Sequence, residues 1–193
     1  MPTRRECLVG AAGFILVGDA FAQSRLEQGV RDRSGDVRIT GQRIATGADG
    51  RLLIVVGRDA MLMRRNSTLE VVANGFRLVT GAVLSVFSPG RSRQLTTATA
   101  TIGIRGTAVY LEAERGRTYA CTCYGEAELG SPFDPSARET VRTKRHEQPR
   151  YLMAKSSPQM LMQAPVLNHT DAELTMLESL VGRRPPFTPD QKY

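Results

Sequence analysis

Residues 96–111 read TTATATIGIRGTAVYL, from Thr96 to Leu111. Thr97, Thr99 and Thr101 alternate with Ala98, Ala100 and Ile102, the period-two pattern that places two residue sets on opposite faces of a β-strand. β-branched threonines suit a pleated surface, and small alanines suit close packing beneath it. Gly103 and Gly106 then predict a bulge or corner, with Arg105 between them bonding backbone carbonyls, before Val109 to Leu111 resumes the strand.

The same pattern extends in both directions. Val37 and Ile39, then Leu52, Ile54 and Val56, alternate around the turn Gly47-Ala48-Asp49-Gly50, whose Asp-Gly is a favoured hairpin dipeptide. Met61-Leu62-Met63, Leu69 to Val72, Phe76 to Val79 and Val83 to Phe87 continue the series, which Ser88-Pro89-Gly90 closes. Downstream, Tyr119 to Leu129 reads as a last strand pair broken at Gly125. No helical period appears before about residue 170. The expectation is all-β: short antiparallel strands stacked as a sandwich or solenoid over residues 29–130.

Composition changes after that. Eight of ten prolines lie at or beyond Pro132, while Gly182 is the one glycine after Gly130. Residues 131–193 therefore read as a Pro-rich tail, irregular up to about residue 165. A single helix follows over about 171–181. Thr170 and Glu173 form a capping box, Leu174, Leu177, Leu180 and Val181 make its apolar stripe, and Gly182 with Pro185-Pro186 ends it.

The strand region resembles FecR-type periplasmic domains, the β-module of iron-dicitrate regulators. The resemblance rests on TATIGIRGTAVYLE (Thr99 to Glu112), the Tyr-Cys strand after it, and Gly125-Glu126-Ala127-Glu128-Leu129. Upstream, Gly41 to Arg51, Asn66 to Val71 and Leu78 to Val83 add to it, so it covers roughly residues 35–130. It implies an all-β periplasmic module working through protein contacts, with Arg105, Gly106 and Thr107 as a structural corner. Full-length regulators of this kind also carry a cytoplasmic anti-sigma segment and one spanning helix. Nothing in these 193 residues reads as either, so the resemblance is to the periplasmic module alone.

The first 22 residues, MPTRRECLVGAAGFILVGDAFA, read as a cleavable export signal. Arg4 and Arg5 form a basic start, Cys7 to Gly18 an apolar stretch too short to span a bilayer, and Ala20-Phe21-Ala22 a small-x-small cleavage site. The adjacent arginines are similar to a twin-arginine (Tat) motif; the general secretory route is the alternative. The expected location is the periplasm. The formal net charge is +7, from 26 Lys and Arg against 19 Asp and Glu. Arg4 and Arg5 are matched by Glu6 and Asp19, so cleavage leaves this charge unchanged. Export removes nucleic acid as a partner and leaves envelope proteins, with weak contact to anionic cell-wall or membrane surfaces through the basic stretch Arg138 to Lys155.

Cleavage also removes Cys7 and leaves Cys121 and Cys123, two thiols on one strand face at a spacing too strained for easy disulfide closure. The only histidines, His146 and His169, both lie in the tail. Cys₂His₂ is a tetrahedral zinc set, so these four residues are the candidate ligands for zinc, another soft transition metal or haem. Burial as small apolar residues, or a redox role for the pair, are the competing readings. No G-x-S-x-G elbow, H-E-x-x-H helix or phosphate-cradling loop is present. The chain is therefore expected to be no enzyme, but an exported interaction, scaffolding or sensing module. The alternative is a metal- or haem-binding sensor or carrier.

Overall fold

The computed structural model describes residues 9–155 and 157–188, with side chains from Gly18 onward; Arg4 and Arg5 lie outside this range. Among the described residues the protein is mostly β, with fourteen strands and two helices. These are α1 (Val9–Gly29), β1 (Val30–Ser34), β2 (Val37–Thr40), β3 (Arg43–Thr46), β4 (Arg51–Val56), β5 (Asp59–Met63), β6 (Thr68–Val72), β7 (Gly75–Val86), β8 (Ser92–Thr96), β9 (Thr101–Arg105), β10 (Ala108–Glu114), β11 (Arg117–Gly130), β12 (Arg138–Thr143), β13 (Arg150–Met153), β14 (Leu161–Gln163) and α2 (Asp171–Leu180). No described helix is long and apolar enough to cross a membrane. The backbone of α1 runs unbroken through Ala20 and Ala22, and its Leu26 is buried against the β core.

Two sheets share their two longest strands. One runs β1-β4-β5-β7-β10-β11-β13-β14 and is antiparallel throughout. The other runs β2-β3-β6-β7-β8-β9-β11-β12, with β7 and β8 parallel. Strand β7 leaves the second sheet for the first at Gly81, and β11 passes from the first to the second at Gly125. Both glycines have positive φ, +82° and +91°. A Cβ on Gly81 would stand 2.5 Å from the Ser67 Cα, so the crossing needs glycine sterically as well as conformationally.

Alternation along the shared strands builds two apolar layers. Leu52, Ile54, Val83, Val109 and Leu111 of the first sheet pack against Ile44, Leu69, Phe76, Leu95, Ile102 and Leu129 of the second. The other face of the first sheet carries Leu53, Leu62, Leu84, Val86, Tyr110, Tyr119, Cys121 and Cys123, covered by Leu174 and Leu177 of α2. A sheet buried on both faces reads as near-continuous apolar runs, which explains Leu52 to Val56 and Ala60 to Met63. Complete burial of Leu174 and Leu177 contributes at most about 1.5–3 kcal/mol each.

The local reading needs three corrections. Residues 97–100 are a turn between β8 and β9: Thr97 N–H donates to the Ala100 carbonyl and Ala100 N–H to Thr97 Oγ1. The Thr97 and Thr99 hydroxyls both meet Thr118 Oγ1, at 2.6 and 2.7 Å. Small polar residues with local hydrogen-bonding options favour a turn over a longer strand. The tail is not irregular throughout, because β12 and β13 complete the edges that β11 leaves open. Arg105 is exposed and bonds no carbonyl among the described residues; Thr107 Oγ1 donates to the Glu126 carbonyl at 2.8 Å and forms the corner instead.

Candidate metal centre

Strand β11 places the Cys121 and Cys123 thiols on the outer face of the first sheet, where both are fully buried beneath the tail. Beyond Ala120 the β13 side of β11 is unpaired by strand, and His146 fills it, its N–H donating to the Cys123 carbonyl at 2.9 Å. His146 has φ +56°, an uncommon conformation for a non-glycine residue. Glu147 holds the bend by accepting from the Lys144 and Arg145 amides at 2.7 and 3.2 Å. His169 arrives from the last residues before α2. Asn168 turns the chain at φ +57°, and Thr170 caps the helix in a capping box with Glu173.

These three segments meet at one point. One donor atom from each of Cys121, Cys123, His146 and His169 lies within 4.8 Å of every other. Cys121 Sγ is 3.5 Å from His146 Nδ1, and His169 Nε2 is 2.8 Å from the same nitrogen. Each imidazole is fixed from outside. His146 Nε2 is 3.0 Å from Asp171 Oδ1, and His169 Nδ1 bonds the Leu167 carbonyl. Oxygen acceptors require N–H donors, so the outer nitrogens carry the protons, and in the neutral imidazoles the inner ones carry lone pairs. Two inner lone pairs facing each other at 2.8 Å repel unless a cation or a shared proton lies between them.

The thiols respond to the same demand. The Cys121 thiol is held well below its ordinary range by the hydrogen bond from Cys123, against the effect of burial, with help from both histidines. Burial, followed by the neighbouring Cys121, pushes the Cys123 thiol well up. Tyr110 stacks on His169 at 4.6 Å between ring centroids, and Phe187 flanks His146 at 6.3 Å. Arg145 Nε donates to Asp171 Oδ2 at 2.9 Å, and its guanidinium lies 5.6 Å over the Phe187 ring.

The dimensions suit an ion. Tetrahedral zinc with bonds of about 2.05 Å to nitrogen and 2.3 Å to sulfur separates its donors by about 3.3–3.8 Å. A bound ion would therefore part the imidazoles by about half an ångström, while the 3.5 Å between Cys121 Sγ and His146 Nδ1 already lies in that range. The carboxylate–histidine arrangement at Asp171 is the usual outer support of a metal-bound imidazole. Cys121–His146–Asp171 is also the order of a thiol nucleophile, its base and an orienting acid. The fully buried thiol under α2, and the second imidazole seated against His146 Nδ1, favour ligation over attack.

All four residues singled out in the sequence as ligands thus converge. Asp171, Tyr110, Arg145 and Phe187 were not singled out. Asp171 had one signal, its place in the helix first turn two residues after His169. The Arg105-Gly106-Thr107 corner lies apart from the cluster. Gly106 instead lines a cleft of about 920 Å³ together with Tyr124, Arg145 and Phe187. The basic tail is largely neutralised, since Arg138, Arg142 and Arg150 pair with Glu128, Glu126 and Glu139.

No protein-family model matches the chain, and no curated protein matches it. Among solved structures it is similar to two crystal structures, each of a candidate anti-sigma factor from Parabacteroides distasonis ATCC 8503. One, at 1.65 Å resolution, aligns with TM-score 0.53 and 8% identity over 63% of this chain, which spans 58% of that chain's length. The other, at 2.50 Å, aligns with TM-score 0.51 and 8% identity over 78% of this chain and 81% of that one. The likeness is one of fold.

Proposed function

We propose that the chain is an exported, non-catalytic FecR-like module that works by protein contact in the cell envelope and holds one metal ion. Cys121, Cys123, His146 and His169 are the ligands. The observation that carries this reading is the convergence of four soft donors from three distant segments, with both imidazoles oriented lone pair inward. A single ion suits donors this close. Haem would need a planar slot beside the donors, whereas Tyr110 already stacks on His169 at 4.6 Å. The fold of the anti-sigma neighbours supports a regulatory role, and the Arg4-Arg5 signal supports periplasmic export, by the twin-arginine or the general route. Weak attraction to anionic surfaces rests on the exposed Lys144 and Lys155, because most of the surrounding arginines are ion-paired.

Elemental analysis and an absorption spectrum of protein purified from its native compartment test the metal reading. One equivalent of a transition metal and no haem absorption are expected; a metal-free protein that also takes up none on reconstitution would sink it. The contact role is tested by cross-linking in intact cells, where failure to trap any envelope protein would remove its content.

A further inference from the structure

We infer that the ion is a resident divalent cation of the zinc type in a closed four-coordinate site, not a monovalent copper ion in transit. This rests on the metal reading above and is carried by charge and enclosure. Two thiolates and two neutral imidazoles give the donor set a charge of −2. The cations packed against the site are already matched, Arg145 with Asp171, Arg64 with Glu173 and Arg183 with Glu178, while Lys144 is exposed to solvent. The ion itself must therefore neutralise both thiolates. A divalent ion leaves the buried cluster neutral, whereas a monovalent ion leaves an unpaired negative charge in the core, which is costly. Magnesium and calcium are excluded because they require oxygen ligands.

Enclosure argues against transfer. Cys121, Cys123 and His146 are at most 1% exposed and His169 is 6% exposed, so a receiving protein could not reach a donor atom without displacing the covering chain, α2 or Phe187. That helix is held independently of any ion. Arg64 grips Glu173 with two bonds of 2.6 and 2.9 Å, Leu174 and Leu177 are buried, and Arg183 Nη1 donates to the Arg58 carbonyl at 2.9 Å. Four protein ligands leave no position for water, which marks a structural site rather than a catalytic one.

The test strips the purified protein under reducing conditions and reloads it with Co²⁺ or Zn²⁺ alone. One equivalent of Co²⁺ should give the intense visible bands of a tetrahedral ion plus thiolate charge transfer, and X-ray absorption of the Zn²⁺ form should count two sulfur and two nitrogen ligands. Zn²⁺ release to excess chelator should be slow while the protein is folded and fast in denaturant. In H169A the Co²⁺ spectrum should change, and added imidazole should restore it. A weak six-coordinate Co²⁺ spectrum, copper in the natively purified protein, rapid release from the folded state, or an H169A spectrum matching the wild type would each overturn the inference while leaving a metal site. Failure to bind any ion would remove the metal reading itself.

Discussion

Replacing Asp171 by Asn separates the outer support of His146 from the shape of the helix start. The carboxylate uses both oxygens, Oδ1 toward His146 Nε2 and Oδ2 toward Arg145 Nε. Asparagine has one acceptor and one donor. If its oxygen faces His146, its amide opposes the Arg145 guanidinium. If it flips, the amide confronts the His146 Nε2 proton and drives that proton to Nδ1, the nitrogen assigned to the ion. Loss of an outer-shell partner typically weakens metal affinity 10–100-fold, or about 1.4–2.7 kcal/mol. Chelator competition on the reduced protein should show this drop in D171N. The thermal midpoint of the stripped protein, followed in parallel, reports the contacts Asp171 makes to Arg145 and His146 without an ion. A lower midpoint with unchanged affinity would refute the reasoning and make Asp171 an anchor of α2 only.

Other outcomes follow from the same geometry. F187A should leave the Co²⁺ spectrum unchanged but speed chelator stripping, because Phe187 stands between the cleft and His146; an unchanged rate would place the exit elsewhere. G106A should destabilise the fold by about 1–3 kcal/mol, since φ is +64° and the new Cβ would lie 2.7 Å from the Pro89 Cα. G57A has the same φ with nothing within 4 Å, so it should cost less in thermal melts, and equal losses would refute the packing argument. R64A should cost about 1.5–3 kcal/mol at neutral pH through loss of the Glu173 pair. Burial pushes the Glu173 carboxyl up, but Arg64 and the Thr170 cap hold it below its ordinary 4.5. That contribution is complete above about pH 4.5 and is lost as the pH falls through the lowered value. The gap between melts of wild type and R64A should therefore narrow in acid, leaving what Arg64 contributes through the Asn168 carbonyl and the Tyr110 ring.

Much of this was legible because period and caps act locally. The all-β architecture follows from alternation, and α2 follows from Thr170, Glu173 and the leucine stripe. The C-x-C pair declared its shared face through strand period alone. The union of the two sheets was not legible, because it depends on which partners β7 and β11 exchange at Gly81 and Gly125, which is information held in distant strands. Residues 97–100 misled because alternation persists through a short turn, and only the meeting with Thr118 identifies that turn. The tail strands β12, β13 and β14 are too short and too interrupted by proline to show a period; β12 and β13 form because β11 offers them an open edge, and β14 adds to β13. The companionship of Asp171 with His146 depends on how the tail docks, and no spacing in the chain encodes that.

The four assigned ligands also set an order of events. Cys121 and Cys123 are neighbours as soon as β11 forms, but His146 lies 25 residues beyond Cys121 and His169 another 23 beyond His146. Closing loops of this length and seating α2 must come before the fourth donor arrives. Unlike a zinc finger, whose short loops let the metal drive folding, this chain offers at most three of its four donors until its last segment is in place. The tetrahedral signature would therefore appear late in refolding, making ion capture a timestamp for completion of the whole molecule.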